Sequence, residues 1–249
     1  MNQKIFEKIK TKFNNYVSQF SLTKAEEQQN IDLKYKHSYQ VCKMMKKITA
    51  DILTEEEKYI AQTIALLHDI GRFKQYEKYK TFADAKSEDH AQLGVNVIQA
   101  NNFLAEVKAN IKELILKAIK YHNNPYLPEG ESTTALLYTK LIRDADKLDI
   151  WRVVINEYKS STKNEAVGLE LSTAPQISAK VYQDIMEEQV VKYEDLQTLN
   201  DFKLLQMGWV FDINFAKSFV LIKENKYIEE LYNTLPQNQR TKNIYNKIT

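Results

Sequence analysis

The chain has 249 residues, 43% hydrophobic and 27% charged, which is enough apolar material for a sizeable core and an ordinary balance for a globular protein. A formal net charge of +2 excludes the strongly basic stripe of a phosphate-backbone binder, so no nucleic-acid partner is indicated. The single cysteine, Cys42, excludes an internal disulfide framework, and its apolar-periodic setting (HSYQVCKMM) fits a buried small side chain better than a reactive thiol.

Five glycines and four prolines leave few breaks, and apolar residues recur at three-four spacing, which predicts an all-α protein. Helices are expected near 2–20, 24–29, 33–48, 55–70, 88–101, 103–122, 132–158, 175–195 and 199–234. The first carries Ile5, Phe6, Ile9, Phe13, Tyr16 and Val17, the pattern of an amphipathic helix docked on a core rather than of a signal peptide. No run approaches the ~20 apolar residues of a bilayer span, so a cytoplasmic protein with no membrane partner is expected. Thr54 with Glu57 reads as a capping box, and Ser87 is expected to open the helix that holds His90 at its third position. NNPYLPEGES (123–132) is a loop by its prolines and glycine. The polar stretch 159–174 is expected to divide a core of about 30–158 from a C-terminal helical extension, about 175–249, packed on it within one domain. Amphipathic helices in the extension leave a homo-oligomer open. Trp151 and Trp209 are assigned to the core.

The chain has four histidines, each in or at the end of an expected helix: His37 in KYKHSYQV, His68 beside Asp69 in ALLHDIGRF, His90 in SEDHAQLG and His122 in IKYHNN. An imidazole and a carboxylate ending a greasy helix are costly to bury unpaired. RDADKLD (143–149) adds Asp144, Asp146 and Asp149, and the last two share a helix face. Gly71 is expected to let the chain turn directly after the doublet. A lone histidine on an apolar helix is more often a satisfied core residue, so the weight falls on the set.

That ordered set, H…HD…H…H…D, resembles the HD superfamily of metal-dependent phosphohydrolases over roughly residues 30–155. The resemblance implies an all-helical core whose ligands converge from several helices. His37, His68, Asp69 and Asp146 would hold one divalent ion; Asp69, His90 and His122 would hold a second, with Asp69 bridging. Imidazole and carboxylate donors suit Mn, Fe, Ni, Co, Zn or Mg, as one ion or two. Where some two-metal relatives carry a tandem histidine pair, this chain has His122-Asn123.

The implied activity is hydrolysis of a phosphomonoester or phosphodiester of a small, nucleotide-like substrate by metal-activated water. Asp69 and Arg72 would be its catalytic pair. Arg72, Lys147 and Asp149 would stand on the substrate side. Relatives often place a lysine where this chain has Arg72, whose two-pronged guanidinium keeps the charge and changes the geometry. Asp149 is alternatively an acceptor that holds an imidazole N–H, a role it fits better than Asp144 does. Phe73, Tyr76, Tyr79 and Phe82 either line a pocket over the metals or belong to the core. The same donors also suit an HD-type di-iron oxygenase, or a non-catalytic nucleotide-binding module.

Overall fold

A computed structural model describes residues 1–160 and 171–249. The fold is all-α: the described residues form twelve α-helices, and their only β pairing is an isolated parallel bridge between Ser172 and Thr198. Most of the loop expected at 159–174 lies outside the described residues. The chain divides into two compact units, Met1–Asp149 and Ile150–Thr249. The division falls inside a helix, α7, rather than in that loop.

In the first unit, α1 (Gln3–Val17) buries Phe6, Ile9, Phe13, Tyr16 and Val17 on one face, as its spacing predicts. Residues 24–29 and 33–48, expected as two helices, are one: α2 (Ala25–Thr49) runs unbroken because no glycine or proline interrupts it and Ile31 is buried at the would-be gap. α3 (Glu55–Leu67) opens on the expected Thr54–Glu57 capping box, and its residues Ile60 to Leu67 are all buried. It does not run on to residue 70. Asp69, at φ −102° and ψ 15°, breaks the helical path, and a new helix that sequence spacing did not separate out, α4 (Ile70–Tyr79), begins at once.

Gly71 is not a turn glycine. A Cβ there would meet the backbone of α5 (His90–Ala100), 2.3 Å from the His90 carbonyl oxygen and 2.6 Å from the Gly94 nitrogen. Its bareness brings α4 and α5 together, and with them Asp69 and His90. The N-cap of α5 is Asp89, not Ser87: the Asp89 carboxylate accepts from the backbone N–H groups of Ala91 and Gln92. A carboxylate also suits the positive end of the helix dipole. α6 (Ala109–Tyr121) starts later than expected, because the chain turns through a left-handed Asn102. α7 (Thr133–Lys159) carries Leu141, Ile142, Ala145 and Leu148 fully buried.

The second unit continues α7 and adds α8 (Ala179–Met186), α9 (Leu199–Gly208), α10 (Ala216–Glu224), α11 (Tyr227–Tyr232) and α12 (Gln239–Ile248). The single helix expected over 199–234 is broken by a 3-10 turn at Trp209–Asp212, extended Phe215 and left-handed Lys226. Val181, Ile185, Leu204, Met207 and Leu231 fill this core. Trp151 is fully buried and donates its indole N–H to the Gln206 carbonyl at 2.9 Å. Trp209 is only half-buried, a departure from its core assignment that follows from its place on the 3-10 turn. Among the described residues no helix is long and apolar enough to cross a membrane.

Candidate metal centre

Six side chains from separate stretches of the first unit meet in its interior. His37 comes from the middle of α2, His68 and Asp69 from the break between α3 and α4, His90 from the first position of α5, His122 from the end of α6 and Asp146 from the middle of α7. His37, His68, Asp69, His90 and His122 are all buried, and Asp146 is half-buried. Helix ends supply most of the set because a terminal residue can leave its helix axis and aim inward.

The imidazoles share one orientation. His37 Nδ1–H donates to Asp149 Oδ2 at 2.8 Å, and His90 Nδ1–H to Asp84 Oδ2 at 2.6 Å. His68 and His122 donate from Nδ1 to the carbonyl oxygens of Ala65 (2.8 Å) and Ile119 (2.7 Å), each three residues back. Each Nδ1 proton is therefore directed outward, and in the neutral ring each Nε2 faces the centre with its lone pair. The Nε2 atoms face each other in pairs, 3.3 Å between His37 and His68 and 3.1 Å between His90 and His122. Asp146 Oδ1 is 3.0 Å from His37 Nε2 and 3.5 Å from His68 Nε2, and it is buried without a hydrogen-bond donor. Acceptors this close need a proton or a cation between them.

Asp69 stands between the pairs. Its Oδ2 lies 3.6 Å from His37 Nε2 and 3.8 Å from His68 Nε2; its Oδ1 lies 3.4 Å from His90 Nε2 and 3.9 Å from His122 Nε2. Each oxygen thus serves a different pair of imidazoles. Two donor trios, His37–His68–Asp146 and His68–Asp69–His122, are tight enough to hold a metal ion. The donor set fits the group the sequence implies: neutral nitrogen and carboxylate oxygen, buried, with the ring tautomers fixed. A third trio, Asp84–Asp89–His90, has other work: Asp89 caps α5, and Asp84 holds His90 from behind.

The electrostatics follow from this crowding. Burial alone would depress the pKa of His37, but the carboxylates of Asp146 and Asp149, one beside each ring nitrogen, outweigh it and raise the pKa to about 9. For His122, burial and the neighbouring His90 and His68 together depress it to about 3. Burial, then the Arg72 charge, lower His90. Burial opposes ionisation of Asp69 and Asp146, yet Lys34 and His68 around the first, and the His37 and His68 rings beside the second, hold both well below the carboxylate range. Cys42, by contrast, is an inert core thiol whose pKa burial pushes up to about 12.

The expected substrate-side residues fare differently. Asp149 is corrected: it is fully buried behind His37, holds its Nδ1 and cannot meet a substrate. Lys147 is buried on α7 and, one residue on from Asp146, is turned by about 100° from the ligand face. Arg72 Nη1 donates to Gln75 Oε1 (2.8 Å), Asp84 Oδ1 (2.7 Å) and the Phe82 carbonyl (2.5 Å), while its Nε lies 3.5 Å from Asp69 Oδ1. That arginine clamps the 82–84 segment against α4. Asn123 turns away, its amide donating to Asp89 Oδ1 at 3.0 Å. Of the aromatic set, Phe73 is core, edge-on to Phe13, whereas Tyr76 and half-buried Phe82 meet in a tilted pair with centroids 4.8 Å apart, Phe82 also lying against Lys34.

Sequence spacing does not single out three residues of this neighbourhood. Asp84, in a short 3-10 turn, carries no periodic signal. Arg143 donates to the carbonyls of His122, Asn124 and Pro125, tying down the end of α6. Lys34, one turn before His37 and so on its face, lies 2.7 Å from Asp69 Oδ2; that spacing was the available signal.

Neither a curated protein nor a solved structure matches the chain. Residues 35–151 match the model of one family, the HD domain, and that span holds all six convergent donors and Asp149. By this match residues 35–151 are an HD domain, a family most of whose members are metal-dependent hydrolases.

Proposed function

We propose that the protein is a metal-dependent phosphohydrolase that cleaves a phosphomonoester or phosphodiester of a small, nucleotide-like molecule. The observation that carries the reading is the division of labour at Asp69, whose two oxygens each serve a separate pair of inward-facing imidazoles. Divalent ions in such a donor set supply Lewis acidity and acidify water. His37, His68, Asp69 and Asp146 would hold one ion, and Asp69, His90 and His122 a second. The chain's own part is to fix these donors: Asp149, Asp84 and two backbone carbonyls hold the rings, and Arg72 and Lys34 balance the charge of Asp69.

The test is phosphate release from a panel of nucleotides and simple phosphoesters, with Mn, Ni, Co, Mg or Fe supplied and ion content measured in parallel. Turnover of at least one ester is expected, falling at least 100-fold in His68→Ala and Asp69→Asn. A protein that holds its ions yet cleaves no ester would overturn the reading; dioxygen uptake by that iron-loaded protein would replace it with the oxygenase.

A further inference from the structure

Two cations flank Asp69, and they are held differently. Arg72 spends its Nη1 on Gln75, Asp84 and the Phe82 carbonyl, so moving it would cost several hydrogen bonds and free the 82–84 segment. Lys34, among the described residues, has one hydrogen-bond acceptor, Asp69 Oδ2 at 2.7 Å. Its side chain is 17% exposed, against 4% for Asp69, so the ammonium lies between the buried donors and solvent. The Phe82 ring steadies it, 5.2 Å from ring centroid to Nζ. An ammonium has three donors on a flexible stem and can reach a new acceptor without leaving Asp69.

We propose that Lys34 is the residue that grips the substrate's phosphate, by donating to a non-bridging oxygen of the ester at the mouth of the centre. It takes the part that the sequence suggests for Arg72, whose Nη1 is tied to Gln75, Asp84 and the Phe82 carbonyl and so fixes that side chain in place. This rests on the phosphohydrolase reading above. The ligand class is a phosphate mono- or dianion, and Lys34 supplies charge and hydrogen bonds but no proton-transfer step.

The test uses the full chain loaded with Mn and two readouts besides turnover: manganese content, and affinity for inorganic phosphate by calorimetry. In Lys34→Met the phosphate Kd and the KM of the best ester should both rise at least tenfold, with ion content and melting temperature as in the parent. Lys34→Arg should recover both to within about threefold. If Lys34→Met fails to fold, Lys34→Gln gives the same comparison with a neutral polar chain. Phosphate affinity and KM unchanged in the neutral variant would overturn the proposal while leaving the hydrolase standing. So would a loss of manganese from the neutral variant large enough to account for its weaker phosphate binding, because Lys34 would then act on the substrate only through Asp69. If the manganese-loaded parent neither binds phosphate nor cleaves any ester, the hydrolase reading and this proposal fall together.

Discussion

Asp149 and Asp84 are not themselves among the proposed ligands, yet each holds a ring that is. Their carboxylates take the Nδ1–H of His37 and His90 at 2.8 and 2.6 Å, and Asp149 is fully buried. Removing such a partner typically lowers metal affinity by about 10–100-fold. Asp149→Asn and Asp84→Asn are expected to do so, as read by titration of chelator-treated protein with Mn; an affinity within threefold of the parent's would contradict the assignment. The two rings of most shifted pKa also set the pH response of chelator-treated protein. His37, raised from 6.5 to about 9, contributes stability that is complete below pH 6.5 and lost as pH rises through 9. His122, lowered from 6.5 to about 3, is kept neutral by the fold and costs stability as pH falls from 6.5 toward 3. Urea melts should therefore show greatest stability near pH 6.5, with a fall on both sides. All six convergent donors were readable from the sequence, because the order of histidines and aspartates is itself the signal. Asp84 was not, since it acquires its meaning only from what the fold sets beside it, and Lys34 showed no more than a place on the His37 face.

At the scale of elements, the packing of α4 on α5 makes an asymmetric demand on two glycines. A methyl group on Gly71 would strike α5 backbone at 2.3 and 2.6 Å, whereas one on Gly94 would find ordinary contacts at 3.4 and 3.5 Å. Gly71→Ala should destabilise by about 1–3 kcal/mol through overpacking and weaken metal uptake by pushing His90 from Asp69. Gly94→Ala, in a helix interior, should be neutral or stabilising by up to about 1 kcal/mol. Thermal melts of the two variants decide it; equal losses would refute the close-approach account. Helix existence was largely plain from spacing, and boundaries were not. The α3–α4 break follows from Asp69 leaving helical geometry to reach the imidazoles, a tertiary demand that no local propensity announces. The fragmentation of 199–234 has the same cause in reverse: its apolar spacing continues, but Phe215 and Lys226 take non-helical backbone with no glycine or proline to mark them.

At the scale of the molecule, every proposed ligand lies within Met1–Asp149. A ligand that binds only the folded state adds about 2.7 kcal/mol at one hundred times its Kd. Added Mn should therefore slow amide exchange chiefly in α2, α3, α5 and α6, with a much smaller change over residues 171–249; uniform protection of both units would contradict a centre built from the first alone. The division of the chain inside α7 could not be read from composition, because the helix is continuous and carries no linker residues there.

Each half of the centre pairs one imidazole tied to main chain with one tied to an acidic side chain: His68 with His37, and His122 with His90. Positions 65 and 119 lend only a peptide oxygen, so their side chains can drift freely over generations so long as they still fit the core. Positions 84 and 149 enjoy no such latitude. A lineage that retained every ligand but lost either acid would keep the look of the motif while one half of its metal grip slackened.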